Sequence, residues 1–244
     1  MAYPTLADRA IKGADGSLSV RAGFRTVELV QEPLPGGNSY YFRVTGTPIP
    51  VKGSNWIPAD AFEGRVSRNE PNTTRLEPLF WALRDSHQNM IRNWGGGIYQ
   101  RDSVYDLADE NGIMIWEDLM FACADYAVPP AFLASSAKEV QDNVRRMQSH
   151  ASIVLWAGNN EDERDMKNTK DVRVSSPYGE AYSKLTFLTG LGNVTAIDTT
   201  RPLSGSSPPD GNETATHHCS AAHQPALYGA PTASRTRNPP APPA

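Results

Sequence analysis

From residue 76 to residue 157 the chain alternates between helical apolar faces and short, unbroken apolar runs, and this alternation restricts its possible folds more than any other feature. "TRLEPLFWALRDSHQ" places Leu76, Leu79, Phe80 and Leu83 at i, i+3, i+4 and i+7, one face of a helix. "NMIRNW" reads as a short strand that runs into Gly95, Gly96 and Gly97. "RDSVYDLADENG" reads as a short helix closed by Gly112. "IMIWEDLMFA" opens with a continuous apolar run from Ile113 to Trp116. In "FLASSAKEVQDNVRRMQSH" the residues Leu133, Ala137, Val140, Val144 and Met147 recur at spacings of four and three, an amphipathic helix. Then "SIVLWAGNNEDERD" carries the unbroken run Ile153 to Ala157, followed by a weaker helical pattern in "YGEAYSKLTFLTGL" and by "RPLSGSSPPDG".

Runs that are apolar on both faces, separated by amphipathic helices, predict a parallel sheet covered by helices. The strands are expected at roughly 49–57, 89–94, 113–118, 152–157 and 202–206. Periodicity leaves two architectures open, an open doubly wound sheet or part of a (β/α)8 barrel. No phosphate loop or G-x-G-x-x-G follows any strand, and "WGGGIYQ" opens no helix on its glycines, so a dinucleotide site is not indicated.

The flanks differ in texture. Between "SLSVRAGFRTVELVQEP" and "SYYFRVTGTPIPVKG" short alternating strands are joined by the turn "PLPGGNS", a half-buried antiparallel ribbon too short to enclose its own core. Beyond about residue 204 the chain is rich in Pro, Ser, Ala and Thr and is expected to be disordered. His217, His218, Cys219 and His223 in that tail match no established zinc spacing.

A net charge of −4 with no block of like charge argues against nucleic acid as a partner. No apolar run is long enough to span a bilayer. "MAYPTLADRA" lacks the apolar stretch of a signal peptide or anchor, whereas the sequons at Asn72, Asn193 and Asn212 hint at a secretory route. The two cysteines, Cys123 and Cys219, make no disulfide framework.

In parallel α/β sheets and barrels, reactive groups stand just beyond the carboxyl ends of the strands. Three expected strands end in such groups: Arg92-Asn93-Trp94, Glu117-Asp118 and Asn159-Asn160-Glu161. Each also has a structural reading. Trp94 suits a core, Asp118 suits a helix cap, and Asn160 with Glu161 suits the first turn of a helix. Three such ends meeting on one rim favour a site.

"KGSNWIPADAF", "NMIRNWGGGIYQRDSVYDLADENGIMIWEDLMFACA", "SHASIVLWAGNNEDE" and "RPLSGSSP" resemble the β-mannosidases of glycoside hydrolase family 2, in collinear order over about residues 20–210. The resemblance implies about the first five units of a TIM (β/α)8 barrel over 49–206. Residues 1–48 would be the last strands of an immunoglobulin-like β-sandwich domain, and 207–244 a disordered tail. It implies a retaining exo-β-mannosidase acting on terminal β-linked mannose of oligosaccharides, lysosomal or secreted, with no metal and no cofactor. Glu161 would be the general acid/base, since a glycosidic oxygen leaves poorly until protonated. Asn160 would bond the sugar 2-hydroxyl. Trp94 would wall the mannose ring, Arg92 would hold a second carboxylate ionised, and Asp118 and Trp56 would line the pocket.

A retaining mechanism needs two carboxylates. The family's second one lies in an S-E-Y/F-G context, and beyond Glu163 the only glutamates are Glu180 and Glu213, in other surroundings. "RDMKNTKDVRVSSP" and Asn93, where the family usually has Val, also depart from the pattern. The expectation is a truncated family member, inactive alone. The competing readings are another family 2 enzyme, such as a β-galactosidase or β-glucuronidase, a non-catalytic carbohydrate-binding remnant, or a complete doubly wound binding protein.

Overall fold

The computed structural model describes residues 6–13, 16–35, 37–68, 74–162 and 177–206. The expected tail 207–244 with its His and Cys residues, the sequons at Asn72 and Asn212, and Glu213 lie outside the described residues.

The chain enters through a hairpin of β1 (Leu6–Gly13) and β2 (Gly16–Gly23). Next come β3 (Val27–Val30), the short pair β4 (Pro33–Leu34) and β5 (Gly37–Asn38), then β6 (Tyr41–Val44) and β7 (Thr47–Ile49). β4 and β5 form the tip of the ribbon that pairs β3 with β6, where "PLPGGNS" was expected to turn. β7 adds to the other side of β6.

The main sheet starts with β8 (Gly53–Trp56). A small parallel pair, β9 (Val66–Ser67) and β10 (Thr74–Arg75), leads into α1 (Leu76–Asp85). Then β11 (Met90–Asn93), α2 (Asp102–Asn111), β12 (Met114–Asp118), α3 (Pro130–Met147) and β13 (Ile153–Ala157) alternate. A helical segment covers residues 177–195, π-helical in its middle, and precedes β14 (Leu203–Ser204).

The five strands pair in parallel in the order β14-β13-β12-β11-β8. Each new strand joins on the same side, so the order never reverses. A doubly wound sheet needs a reversal and helices on both faces. Here α1, α2, α3 and the segment 177–195 all contribute to one apolar cluster, with Phe80, Tyr105, Val140, Met147 and Leu191 against Ile91, Ile115, Ile153 and Trp156 of the strands. The other face carries Met90, Val154 and Leu155 and is covered by Val27, Phe42 and Val44 of the antiparallel strands. The fold is therefore α/β with a parallel sheet like part of a barrel, and the doubly wound alternative fails on both counts.

Local sequence explains the helices. α2 ends at Gly112 with φ 66, a left-handed turn that a side chain disfavours. α3 begins with Pro130 in the first turn, where no amide hydrogen is missed. α1 buries Leu76 and Phe80, but Leu79 faces outward, so its apolar face is narrower than the spacing suggested. Asn193 is no open sequon: its amide donates to Thr189 O at 2.6 Å and accepts from Gln141 at 2.6 Å.

Candidate active site

Parallel strands alternate their side chains between the two faces, so register decides which strand-end groups meet. Arg92 lies opposite Asn55 on β8 and Trp116 on β12, while Asn93 lies opposite Trp56 and Glu117. The first set faces away from the helices and the second toward them.

Arg92 is the hub of the first set. Its Nη2 donates to Asp118 Oδ2 at 2.6 Å and to Asn160 Oδ1 at 2.7 Å, its Nε to Asp118 Oδ1 at 3.3 Å, and its Nη1 to Asn55 Oδ1 at 3.2 Å. Asp118 is fully buried and also accepts from Trp116 Nε1 at 2.9 Å and from the Gly95 amide at 3.1 Å. A buried carboxylate is tolerated only when paired and hydrogen-bonded, and Asp118 is both. Among the described helices none is capped by it; it ties β11, β12 and the Trp94–Gly95 turn together.

The two amides of the "GNNE" stretch divide the work. Asn159 is buried on the structural side, where it donates to Thr186 Oγ1 at 3.1 Å and to Gly205 O at 3.2 Å. Its Oδ1 accepts from the Asp162 amide and from Ser206 Oγ, so the capping bond considered for Asn160 belongs to Asn159. Asn160 turns the other way, to Arg92. Because a guanidinium only donates, Arg92 fixes the Asn160 oxygen on its own side. The amide nitrogen then donates to Cys123 Sγ at 3.1 Å, and the thiol in turn reaches Glu161 Oε2 at 3.7 Å.

Glu161 (φ 62) and Cys123 (φ 51) both adopt the left-handed backbone region, uncommon for residues with side chains. Their segments are joined by a parallel bridge between Ala122 and Asn160. Strained residues cluster where a surrounding structure aims a group. Trp94 follows Arg92 and Asn93 at the end of β11, half-buried, its ring lying over Gly96: a Cβ on Gly96 would stand 2.1 Å from it.

Arg92, Asp118 and Asn160 are thus in direct contact, Glu161 follows Asn160 on the same rim, and Trp94 borders the turn bound by Asp118. Trp56 does not join them. It points to the helical side, buried, with its ring 5.4 Å from Phe80. Asn93 also faces the helices, so its side chain stands behind the rim rather than on it. Asn55, Trp116 and Cys123 are part of the rim and went unnoticed in the sequence. Asn55 becomes visible only through its pairing with Arg92. Among the described residues no group of three or more His, Cys, Asp or Glu side chains is placed to hold a metal ion.

No family profile matches the chain. Individual relatives do. The β-mannosidase of Mus musculus is 43% identical over 212 residues, which cover 82% of this chain and 23% of that protein. The β-mannosidase B of Thermothelomyces thermophilus is 47% identical over 148 residues, 60% of this chain and 17% of the relative. The crystal structure of β-D-mannosidase from Dictyoglomus thermophilum superposes with a TM-score of 0.68 at 35% identity, over 83% of this chain and 25% of that one. This chain is a β-mannosidase homologue. It spans about a quarter of the length of these relatives.

Within this β-mannosidase homologue Glu180 sits on an exposed helical surface, paired with Lys184 at 2.6 Å, far in character from a buried strand-end nucleophile. No helix among the described residues is long and apolar enough to cross a membrane.

Proposed function

We propose that this chain forms the acid/base side of a retaining exo-β-mannosidase site of glycoside hydrolase family 2, acting on terminal β-linked mannose of oligosaccharides. The observation that carries the reading is the contact of Arg92 with both Asp118 and Asn160, immediately before Glu161. In this reading Glu161 donates its proton to the glycosidic oxygen as the C–O bond breaks, then takes a proton back from the water that enters. Asn160, its oxygen held by Arg92, offers an N–H to the sugar 2-hydroxyl. Trp94 supplies the apolar wall. Asp118 orients Arg92 and reaches sugar only through it. The reading also takes in a barrel unit of about five strands from residue 49, strands of an immunoglobulin-like domain before it, and a lysosomal or secreted protein.

A retaining reaction needs a nucleophilic carboxylate about 5–5.5 Å from the acid. No glutamate of this sequence stands in the family's context for that role, and Glu180 is engaged by Lys184. The chain by itself is therefore expected to bind β-mannosides without hydrolysing them. Titration with mannose and an aryl β-mannoside, followed by tryptophan fluorescence, should show saturable binding that Trp94→Ala and Asn160→Ala each weaken about tenfold or more. Absence of binding overturns the sugar site. Release of the aryl group that Glu161→Gln abolishes overturns the inactivity.

A further inference from the structure

Directly behind the rim, on the helix-facing side of the sheet, lies a buried polar cluster that this chemistry does not use. Asn93 and Glu117 are register partners on β11 and β12, and each immediately precedes a rim residue, Trp94 and Asp118. Asn93 Nδ2 donates to Glu117 Oε1 at 2.7 Å and to Ile98 O at 3.3 Å. Gln100 Nε2 donates to Asn93 Oδ1 at 3.2 Å and to Ile98 O at 3.1 Å. Tyr105 OH donates to Glu117 Oε1 at 3.2 Å, and Arg146 Nη2 holds Gln100 O at 3.0 Å. Asn93, Gln100 and Glu117 are all buried. The segment 94–100 is therefore gripped at both ends and at Ile98 from the back of the sheet, while its front carries Trp94.

Buried polar groups cost free energy unless satisfied, so a merely structural position would be filled more cheaply by apolar residues. Among the described residues Glu117 Oε2 has no hydrogen-bond partner. A neutral carboxyl tolerates that position far better than an ionised one. Burial pushes the Glu117 carboxyl up to about 8, opposed by the bonds from Asn93 and Tyr105. Asp118 on the same strand adds to the rise and Arg146 from α3 opposes it. Tyr99 from the segment and Tyr105 from α2 also face it, and Gln100 is linked to it through Asn93.

We propose that Glu117, acting through Asn93 and Gln100, is a positioning residue that clamps the 94–100 segment, and with it Trp94, from behind the sheet. The consequence for sugar binding rests on the function proposed above; the clamp does not.

The whole chain is titrated from about pH 6 to about pH 9.5, with fluorescence of the wild type compared with Trp94→Phe to isolate Trp94. Hydrogen exchange of the 94–100 amides, corrected for intrinsic rates, is followed over the same range. The clamp predicts a Trp94 transition centred near about 8, absent in Glu117→Gln, and about tenfold loss of protection across 94–100 in the wild type. A transition that persists in Glu117→Gln, or unchanged protection in the wild type, overturns it, and the second needs no variant. Mannoside binding measured in parallel should weaken about tenfold at the alkaline end in the wild type and stay flat in Glu117→Gln. If no mannoside binds at any pH the sugar reading fails, while fluorescence and exchange still decide the clamp.

Discussion

At the scale of single residues the rim is governed by one cation and one strained turn. Arg92 is shared by a fully buried carboxylate and an amide, and its removal takes from buried Asp118 its guanidinium partner. Breaking such a pair costs about 3–5 kcal/mol, so Arg92→Ala should lower the urea midpoint sharply. Arg92→Lys rescues little of it, because an ammonium cannot reproduce the fork between Asp118 and Asn160. Glu161 behaves in the opposite way. Its φ of 62 is costly for glutamate and accessible to asparagine. Glu161→Asn should therefore leave stability unchanged or raise it by about 0.5–1 kcal/mol. Equilibrium denaturation checks both variants, and a marked loss in Glu161→Asn would mean that the carboxylate is structural rather than aimed at a ligand.

At the scale of elements, β13 is held in place by its carbonyl groups as well as by its apolar side chains. Arg201 donates from Nε to Ile153 O at 2.8 Å and from Nη2 to Gln148 O and His150 O, while its Nη1 pairs with buried Asp198. Arg25, in the link between β2 and β3, reaches Ala151 O and the same Ile153 carbonyl. The strand that delivers Asn160 and Glu161 is thus pinned at its start by two arginines. Arg201→Met should destabilise by about 3–5 kcal/mol, because it removes the guanidinium partner of buried Asp198 together with the bonds to three backbone carbonyls. At the other end Gly158 packs so closely that an added Cβ would stand 2.6 Å from Gly205 O and 2.6 Å from Thr186 Cγ2. Gly158→Ala should cost about 1–3 kcal/mol by overpacking. In both cases the denaturant midpoint is the readout, and a midpoint within error of the wild type would refute the account.

At the scale of the whole molecule, stability should depend on pH through Glu117. The unfolded carboxyl releases its proton near 4.5 and the folded one near about 8, so between these values the folded state binds the extra proton. Stability from this group is complete below the lower value and is lost as pH rises through the upper one, at up to about 1.4 kcal/mol per pH unit. Urea unfolding at several pH values should show this decline in the wild type and a flatter curve in Glu117→Gln. Equal slopes would place Glu117 in contact with water.

The amino-acid sequence by itself determined the elements. Runs such as Ile153–Ala157 became strands because they are apolar on both faces, and Leu76 with Phe80 or Val140 with Val144 became helix faces because of their spacing. It also put Arg92, Asp118, Asn160 and Glu161 at strand ends, where a parallel sheet displays its chemistry. Which of these side chains meet was decided by register and by long-range contacts. The pairing of Arg92 with Asn55 and of Asn93 with Trp56 and Glu117 sends one set to the rim and the other behind it. The split between Asn159 and Asn160 follows from contacts with Thr186, Gly205 and Ser206, tens of residues away. Spacing along a chain records local periodicity, whereas the partner across a sheet is a long-range choice made by packing, and only the tertiary structure holds it.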